Sequence, residues 1–461
     1  MMEEKKTISD DFTSGSILGK LIRFMFPILG ALILQAMYGA VDLLVVGQFG
    51  TSASISAVAT GGNIINLVTF VITALTMGVT VLISRYLGEQ KPEKIGAVIG
   101  SAICFFACFS IGAMCLLLVG APVFAGWLNA PQEAFELTNT YVRICGAGIL
   151  FVVAYNVISG IFRGLGNSRL PLIFVAIACV VNIVGDLLLV AVLQMDVAGA
   201  ALATILAQAV SVVLSLLIIR KQKLPFTVKR KEIRFNKEMG AFLGLGIPLA
   251  FQELLTNLSF LILCAIVNGM GLEVSSGYGI AQKLVSFVML IPSSLMQSMS
   301  AFVGQNVGAG REDRARKAMY TGMGLGAFLG IFIAAAVYIR GDIPASLFTN
   351  DPVYIQKAAE YLRGFAPEAI LTCFVFSFIG YFNGHGNSLP VMLQGITSSF
   401  LVRVPLSWLF SRMPGATLQD VGLAVPAASV YGSLFFGICY FFQCRRGSAR
   451  SRQKTLTNDN F

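Results

Sequence analysis

Runs of about 20 or more apolar residues recur along this 461-residue chain, separated by short clusters of Gly, Pro, Asn and charged residues. A helix that crosses a bilayer needs about 20 mostly apolar residues, whereas a barrel strand shows alternation over about 10. The composition agrees, because 56% of the residues are hydrophobic and 12% are charged, against about 25% charged in soluble domains. The chain is therefore predicted to be an all-α integral membrane protein.

Twelve membrane-spanning helices are predicted from these runs and from the residues that interrupt them. They lie near residues 21–46, 55–84, 95–119, 135–162, 170–193, 198–220, 240–268, 275–302, 316–340, 358–382, 389–411 and 422–443. The N-terminal residues mix acids with bases and offer no small-residue cleavage site, so we expect the first helix to remain in the mature protein. An even number of spans places both termini on one side of the membrane.

Alternate connections carry nearly all of the Lys and Arg residues. The connections after predicted helices 2, 4 and 8, the connector at residues 221–239 and the tail at 444–461 are basic, whereas NAPQE, QMDVAG, GMGLEVSS and TNDP contain no Lys or Arg. Basic loops stay in the cytoplasm. Both termini are therefore predicted to be cytoplasmic, in a bacterial or archaeal plasma membrane. The net charge of +10 then reflects topology, and no nucleic-acid partner is expected.

The chain offers few residues for metal or nucleophile chemistry. Its nine cysteines show no paired spacing typical of a zinc site or a disulfide framework, and its one histidine stands alone. No nucleophile motif is present in the sequence. We therefore expect neither an enzyme nor a resident cofactor.

The phrase FRGLGNSRLP at residues 162–171 is echoed by FNGHGNSLP at residues 382–390. Three further pairs share this spacing of about 220 residues, namely Phe26-Pro27 with Ile247-Pro248, Asn129 with Asn350, and Tyr141 with Tyr361. One spacing shared by four pairs indicates duplication of a six-helix unit. Because six is even, both copies enter the membrane from the same side, which predicts two lobes related by a pseudo-two-fold axis along the membrane normal.

The predicted organisation has five parts. They are a cytoplasmic N-terminal segment (1–20), an N-terminal lobe (21–220), a basic cytoplasmic linker (221–239), a C-terminal lobe (240–443) and a basic cytoplasmic tail (444–461). A channel would need a filter-like loop at mid-membrane depth, and the sequence repeats no such loop. A rocking transporter that binds its substrate between the lobes is the better prediction.

Four polar residues of the N-terminal lobe fall within predicted spans, where ionisable side chains are costly and mark functional sites. They are Asp42 in helix 1, Asn182 and Asp186 in helix 5, and Thr204 in helix 6. A rise of about 1.5 Å per residue puts them at outer depths of about 7 to about 18 Å. Two carboxylates, an amide and a hydroxyl could bind Na⁺ or hold one shared proton. The alternative is that they only bridge helices by hydrogen bonds.

The C-terminal lobe carries a different set of charges. The stretch that corresponds to VNIVGDLLLV is LVRVPLSWLF, which contains Arg403 and no acid. Glu368 of helix 10 lies at a similar predicted depth, so we predict a structural ion pair between Glu368 and Arg403. The alternative is that these two residues contact the substrate. Glu253 of helix 7 has no depth-matched base, so it is a candidate, together with Gln35 of helix 1, for contact with a cationic substrate.

These features together resemble the MATE (multidrug and toxic compound extrusion) family of cation-coupled exporters. The resemblance spans essentially the whole chain and rests on PILGALILQAMYGAVDLLVVGQFG in helix 1, the two GNS turns, VNIVGDLLLV in helix 5 and SAFVGQNVGAGRED after helix 8. It implies a cation site in the N-terminal lobe, formed by Asp42, Asn182, Asp186 and Thr204. It also implies a V-shaped cavity between the lobes and alternating access. Pro27 removes one backbone hydrogen bond from helix 1 and is the expected hinge.

The predicted function is antiport, in which inward movement of H⁺ or Na⁺ drives export of amphipathic, often cationic, drugs or toxic organic compounds. The sequence does not distinguish H⁺ from Na⁺ as the coupling ion. The expected partners are small organic cations or drugs and the membrane lipid, and the protein is expected to act as a monomer. The alternative is a flippase for a lipid-linked saccharide, which would need several Arg or Lys in its cavity, and the spans offer few.

Overall fold

The computed structural model of the protein describes residues 10–221, 226 and 230–458. The first half contains α1 (Ile17–Phe49), α2 (Ser52–Gly88), α3 (Pro92–Trp127), α4 (Phe135–Ala147), α5 (Ile149–Gly164), α6 (Arg169–Asp186) and α7 (Asp196–Lys221). The second half contains α8 (Lys237–Asn268), α9 (Leu272–Val288), α10 (Leu290–Gly308), α11 (Glu312–Arg340), α12 (Asp342–Ser346), α13 (Pro352–Phe365), α14 (Glu368–Gly384), α15 (Leu389–Thr397), α16 (Val404–Ser411), α17 (Leu418–Gly422) and α18 (Ala424–Asn458). Parts of the predicted N-terminal segment, linker and tail lie outside the described residues.

The helices account for the twelve predicted spans. Within the described residues, ten stretches are long and apolar enough to cross a membrane alone, and two bent pairs, α4 with α5 and α13 with α14, bring the number to twelve when each pair is taken as one span. Several helices begin earlier than predicted because polar residues cap them. Ser16 accepts a hydrogen bond from the backbone N–H of Gly19, and Thr51 forms a reciprocal capping box with Ser54. The fold is an all-α membrane bundle.

The fourth and tenth spans are bent, and the prediction of single helices at 135–162 and 358–382 was wrong in this respect. α4 and α5 meet at Gly148 with an angle of 52°, and α13 and α14 meet next to Pro367 with an angle of 47°. Proline removes a helical hydrogen bond, and glycine is a poor helix former. The bend occurs at the same place in both repeats, so it belongs to the duplicated unit.

Two π-helical segments interrupt the fifth and eleventh spans. Leu187–Val192 follows α6, and Ser398–Arg403 follows α15. Such segments are rare and occur often at functional sites. Asp186 immediately precedes the first segment and Arg403 ends the second, so the charged residues that distinguish the two repeats both border a π-helical turn.

The two lobes meet through direct backbone contact at the end of the molecule where the chain enters α1, which we call the terminal end. A methyl group added to Gly88 of α2 would lie 2.0 Å from the carbonyl oxygen of Gln305, and one added to Gly308 of α10 would lie 2.0 Å from that of Arg85. The two contacts are equivalent in the two repeats, because Gly88 and Gly308 are 220 residues apart and so are Arg85 and Gln305. The pseudo-two-fold axis therefore passes between these two contacts.

Towards the opposite end the lobes separate. Gly39 of α1 and Gly62 of α2 have no neighbouring atom within 4 Å of the place where a Cβ would stand. The core shared by the two lobes includes Phe242 and Phe302 at the terminal end, whereas the opposite ends of the lobes have separate cores, one around Leu263 and the other around Val46. The cleft between the lobes is closed at the terminal end and open at the other.

A short segment before α1 joins the lobes at the terminal end. The ring of Phe12, which is buried, lies 4.9 Å from that of Phe24 on α1 and 5.1 Å from that of Phe302 on α10. The backbone N–H of Phe12 donates to Gln305 Oε1 at 2.6 Å, and its carbonyl oxygen accepts from Arg314 Nε at 2.8 Å. We call residues 10–16 the N-terminal clasp, because Phe12 connects the first helix to two helices of the other lobe.

Asp11 shapes the turn of the N-terminal clasp. Its carboxylate accepts hydrogen bonds from the backbone N–H and the hydroxyl of Thr13, at 2.8 and 2.6 Å, and from the hydroxyl of Ser14 at 2.6 Å. Desolvation opposes the ionised form, but these hydrogen bonds and the charge of Lys20 together lower the pKa of Asp11 to about 2. The carboxylate that holds the turn is therefore ionised at neutral pH.

Replacing Phe12 by alanine is expected to lower the free energy of unfolding by about 3 kcal/mol, because a buried ring that contacts both lobes is lost. The melting temperature of the purified protein in detergent measures this. Leu18→Ala is the matched control, since Leu18 is 46% exposed, and we expect it to change stability by less than about 0.5 kcal/mol. Equal melting temperatures for the two variants would show that the clasp contributes nothing to stability.

Candidate cation site and central cleft

The four polar residues singled out in the N-terminal lobe come together inside it. Asp42 of α1 is 4% exposed, Asn182 and Asp186 of α6 are 1% and 0% exposed, and Thr204 of α7 is half-buried. Asn182 and Asp186 are four residues apart, so both project from one face of α6 towards Asp42. Three helices of one lobe thus contribute polar side chains to a single buried site.

Among the described residues, one hydrogen bond of good geometry joins side chains of this site, and Asn182 and Asp186 also lie next to the Asp42 carboxylate. The hydroxyl of Thr204 donates to Asp42 Oδ2 at 3.0 Å and is also 3.1 Å from the carbonyl oxygen of Ala200. A threonine hydroxyl has a single hydrogen, so it satisfies one of these acceptors at a time. Thr204 can therefore release Asp42 without losing its own partner.

The remaining polar atoms of the site have no hydrogen-bond partner with acceptable geometry among the described residues. They are Asp42 Oδ1, both carboxylate oxygens of Asp186, and both polar atoms of the Asn182 amide. Within the same part of the chain, no Lys, Arg or His forms an ion pair with either carboxylate. Two adjacent buried carboxylates are stable only if a cation or a proton compensates their charge. The oxygen donors suit either one.

A second layer around the site was missed by the sequence analysis. The amide of Gln208 donates to the Tyr38 hydroxyl at 3.4 Å, and both side chains adjoin the site. Tyr38 precedes Asp42 by four residues, and Gln208 follows Thr204 by four, so each lies on the same helical face as its neighbour in the site. That periodicity is the signal that could have identified them.

The predicted ion pair between Glu368 and Arg403 is not formed. Glu368 Oε1 accepts a hydrogen bond from the Ser429 hydroxyl at 2.7 Å. Arg403 donates instead to the hydroxyls of Ser259 and Ser399, and its guanidinium lies 3.9 Å from the centre of a phenylalanine ring, that of Phe260. The two charged residues lie at a similar depth, but two hydroxyls and an aromatic face, and not Glu368, contact the guanidinium, whose Nε atom is buried without a partner among the described residues.

The two candidate substrate contacts lie in different surroundings. Glu253 is half-buried, and its carboxylate forms no hydrogen bond or ion pair in the described part of the chain. It follows Phe242 and Gly246 on the face of α8 that contacts α2 at the terminal end, so it continues that face into the cleft. The amide of Gln35 lies 3.5 Å from the Tyr155 hydroxyl. Contact of either residue with a substrate stays a prediction.

A protein-family model matches the chain twice, once in each repeat. The MatE family model matches residues 27–188 and matches again at residues 248–409. The chain belongs to the MatE family. The two matches are offset by 221 residues, so the family model detects the repeat that the GNS turns indicated. The four residues of the candidate site lie in the first matched region or just after it.

Relatives of this MatE protein are known along almost its whole length. It is 29% identical over 431 residues to the probable multidrug resistance protein YpnP of Bacillus subtilis (strain 168), covering 92% of this chain and 94% of that one. It is 24% identical over 418 residues to the multidrug export protein MepA of Staphylococcus aureus (strain MRSA252), covering 88% of this chain and 90% of that one. Among solved structures, an outward-facing multidrug resistance MATE family transporter of the MOP superfamily superposes with a TM-score of 0.88 at 19% identity, over 95% of this chain and 98% of the other. This last likeness concerns the fold.

Proposed function

We propose that this MatE protein is an antiporter that exports amphipathic, often cationic, drugs or toxic organic compounds and is driven by inward movement of H⁺ or Na⁺. Relatives described as multidrug resistance and multidrug export proteins support the substrate class. The observation that carries the coupling is the pair of buried carboxylates, Asp42 and Asp186, with unsatisfied oxygens and no basic partner in the described chain. Such a pair requires a cation or a proton.

The proposed coupling runs through α1. This helix carries Asp42 inside the N-terminal lobe and also packs against α10 and α11 of the other lobe. A bound ion shifts the balance between two conformations only if its affinity differs between them. A change in the charge of Asp42 alters what α1 contacts within its lobe. Pro27, which lies inside α1 and donates no backbone hydrogen bond, is the proposed hinge for the resulting bend.

The proposed orientation places the terminal end in the cytoplasm. The basic connections lie on the side of the termini, as the positive-inside rule requires. The cleft, which is open at the opposite end, then faces outward, and Glu253 lies on one of its walls. The described conformation corresponds in this proposal to the state that releases drug and takes up the coupling ion.

Transport in proteoliposomes tests the proposal and identifies the ion. Purified protein is reconstituted, and ethidium transport is measured first under an imposed pH gradient without Na⁺ and then under a Na⁺ gradient at equal pH. We expect one gradient to raise the rate at least tenfold, and an ionophore that collapses that gradient to abolish the rise. Equal ethidium transport with and without both gradients would exclude cation coupling.

A further inference from the structure

A second polar site lies between the lobes, nearer to the terminal end than the cation site. Gln35 of α1, Tyr155 and Arg163 of α5 and Ser168 of the first GNS turn line a small cavity together with Gln297 of α10. The cavity therefore has walls from both lobes. None of the described residues that line it is acidic.

Arg163 is the unusual member of this cavity. Its guanidinium forms no hydrogen bond or ion pair within the described chain, and its Nε atom is buried without a partner. Arg403, the arginine inside the other lobe, also has a buried Nε atom without a partner, but the rest of its guanidinium donates to Ser259 and Ser399 and lies over an aromatic ring. Arg163 is half-buried, and a charge taken partly out of water without a counterion is costly. Arg163 is positioned for a partner that the described residues do not supply.

We propose that Arg163, assisted by the Tyr155 hydroxyl and the amides of Gln35 and Gln297, forms a subsite for the anionic group of a transported molecule, a carboxylate or a phosphate. Guanidinium binds both groups by paired hydrogen bonds, and neutral hydroxyl and amide donors complete such a site. The inference rests on the proposed transport function and names part of its substrate range. Zwitterionic molecules, with a cationic centre and an acid group, fit it best.

In the described conformation the cavity is too small to admit a drug. Its volume of about 20 Å³ suits a water molecule and not a drug. Ser168 and Arg163 flank Gly166, which lies against the backbone of Asp10 in the N-terminal clasp. The cavity is therefore part of the closed terminal end, and separation of the lobes there opens it. The anionic group enters in that conformation, when the guanidinium becomes accessible.

Export of three compounds, one with a carboxylate and two without, tests the subsite. Export of norfloxacin, which carries a carboxylate, is compared with export of its methyl ester and of ethidium, neither of which carries one. We expect Arg163→Gln to reduce norfloxacin export at least tenfold and to leave the ester and ethidium within twofold. Arg163→Lys is expected to restore part of the norfloxacin export, because it keeps the charge but not the paired geometry. The control is Arg169→Gln, since Arg169 is exposed on the same turn.

Binding to the purified protein separates the possible sources of the anion. Thermal stability is measured with inorganic phosphate, with norfloxacin, and in nanodiscs with and without phosphatidylglycerol. Stabilisation by norfloxacin that is lost in Arg163→Gln assigns the subsite to a substrate carboxylate. Stabilisation by phosphate or by phosphatidylglycerol with the same loss assigns it to a phosphate group. Equal stabilisation of wild type and Arg163→Gln by every ligand overturns the proposal.

These results are distinguishable from failure of the transport function. If the wild type exports ethidium but Arg163→Gln loses all three compounds equally, the antiport proposal stands and Arg163 has only a structural role. If the wild type exports none of them, the antiport proposal fails, while the stability measurements still report whether Arg163 binds an anion.

Discussion

Substituting Asp42 by asparagine is expected to reduce drug export at least a hundredfold while the protein still folds and inserts. The carboxylate is buried beside Asp186 and accepts the Thr204 hydroxyl at 3.0 Å. Asparagine keeps the size and the hydrogen-bond acceptor but removes the charge, so a cation or a proton no longer gains from binding there. Loss of a buried charge that has no basic partner should not destabilise the fold. Asp186→Asn is expected to behave in the same way.

Ethidium efflux from cells expressing each variant measures this effect, with the amount of membrane-inserted protein determined in parallel. Asp342→Asn is the control, because Asp342 pairs with Arg340 at the surface and lies far along the chain from the site. Normal efflux by Asp42→Asn at wild-type protein levels would contradict the assigned role of the site. In that case the four polar residues would only bridge helices.

Adding a methyl group at Gly88 is expected to prevent the lobes from closing at the terminal end and so to reduce transport at least tenfold. The new Cβ would stand 2.0 Å from the carbonyl oxygen of Gln305, and backbone cannot yield as a flexible side chain can. Alternating access requires this closed state, so Gly88→Ala should accumulate the state that is open at the terminal end. Gly308→Ala should have the same effect, because its methyl group would meet Arg85 in the symmetric contact.

Labelling of a cysteine placed at Ser84 reports on the closed contact. Ser84 is buried beside Gly304 of the opposite lobe, so a maleimide reagent should label Ser84→Cys at least tenfold faster when Gly88→Ala is also present. Gly62→Ala is the matched control on the same helix, since open space surrounds that position. Alanine there should even favour the helix by about 1 kcal/mol. Equal labelling of the two double variants would show that the contact does not govern closure.

Much of the fold could be predicted from the sequence because membrane spans are governed by local rules. Hydropathy and turn residues defined twelve spans, and the repeated GNS phrase indicated the duplication that the family model matches twice. The bends at Gly148 and next to Pro367 were not predicted, although both residues disfavour a helix. A continuous apolar run gives no information on whether the helix inside it is straight, because tertiary packing decides whether a weak point bends.

The candidate cation site was predicted because its four residues share a depth and a lobe, so helical rise alone could group Asp42 with Asp186. The same reasoning failed for Glu368 and Arg403. Depth defines a level in the membrane but not the direction in which a side chain projects. In the structure Arg403 turns to Ser259 and Phe260, and Glu368 accepts from Ser429.

The sequence by itself determined the membrane location, the number of spans, the duplication and the position at which the two repeats differ chemically. Each of these features depends on residues that are close together in the chain or separated by a fixed spacing. Only the tertiary structure decided which partners satisfy each buried charge, where the lobes touch, and that Arg163 faces a cavity shared by both lobes. These features depend on the rotation of each helix about its axis and on close contact between the backbones of helices that are far apart in the sequence, such as α2 and α10. Only packing in three dimensions fixes such relations.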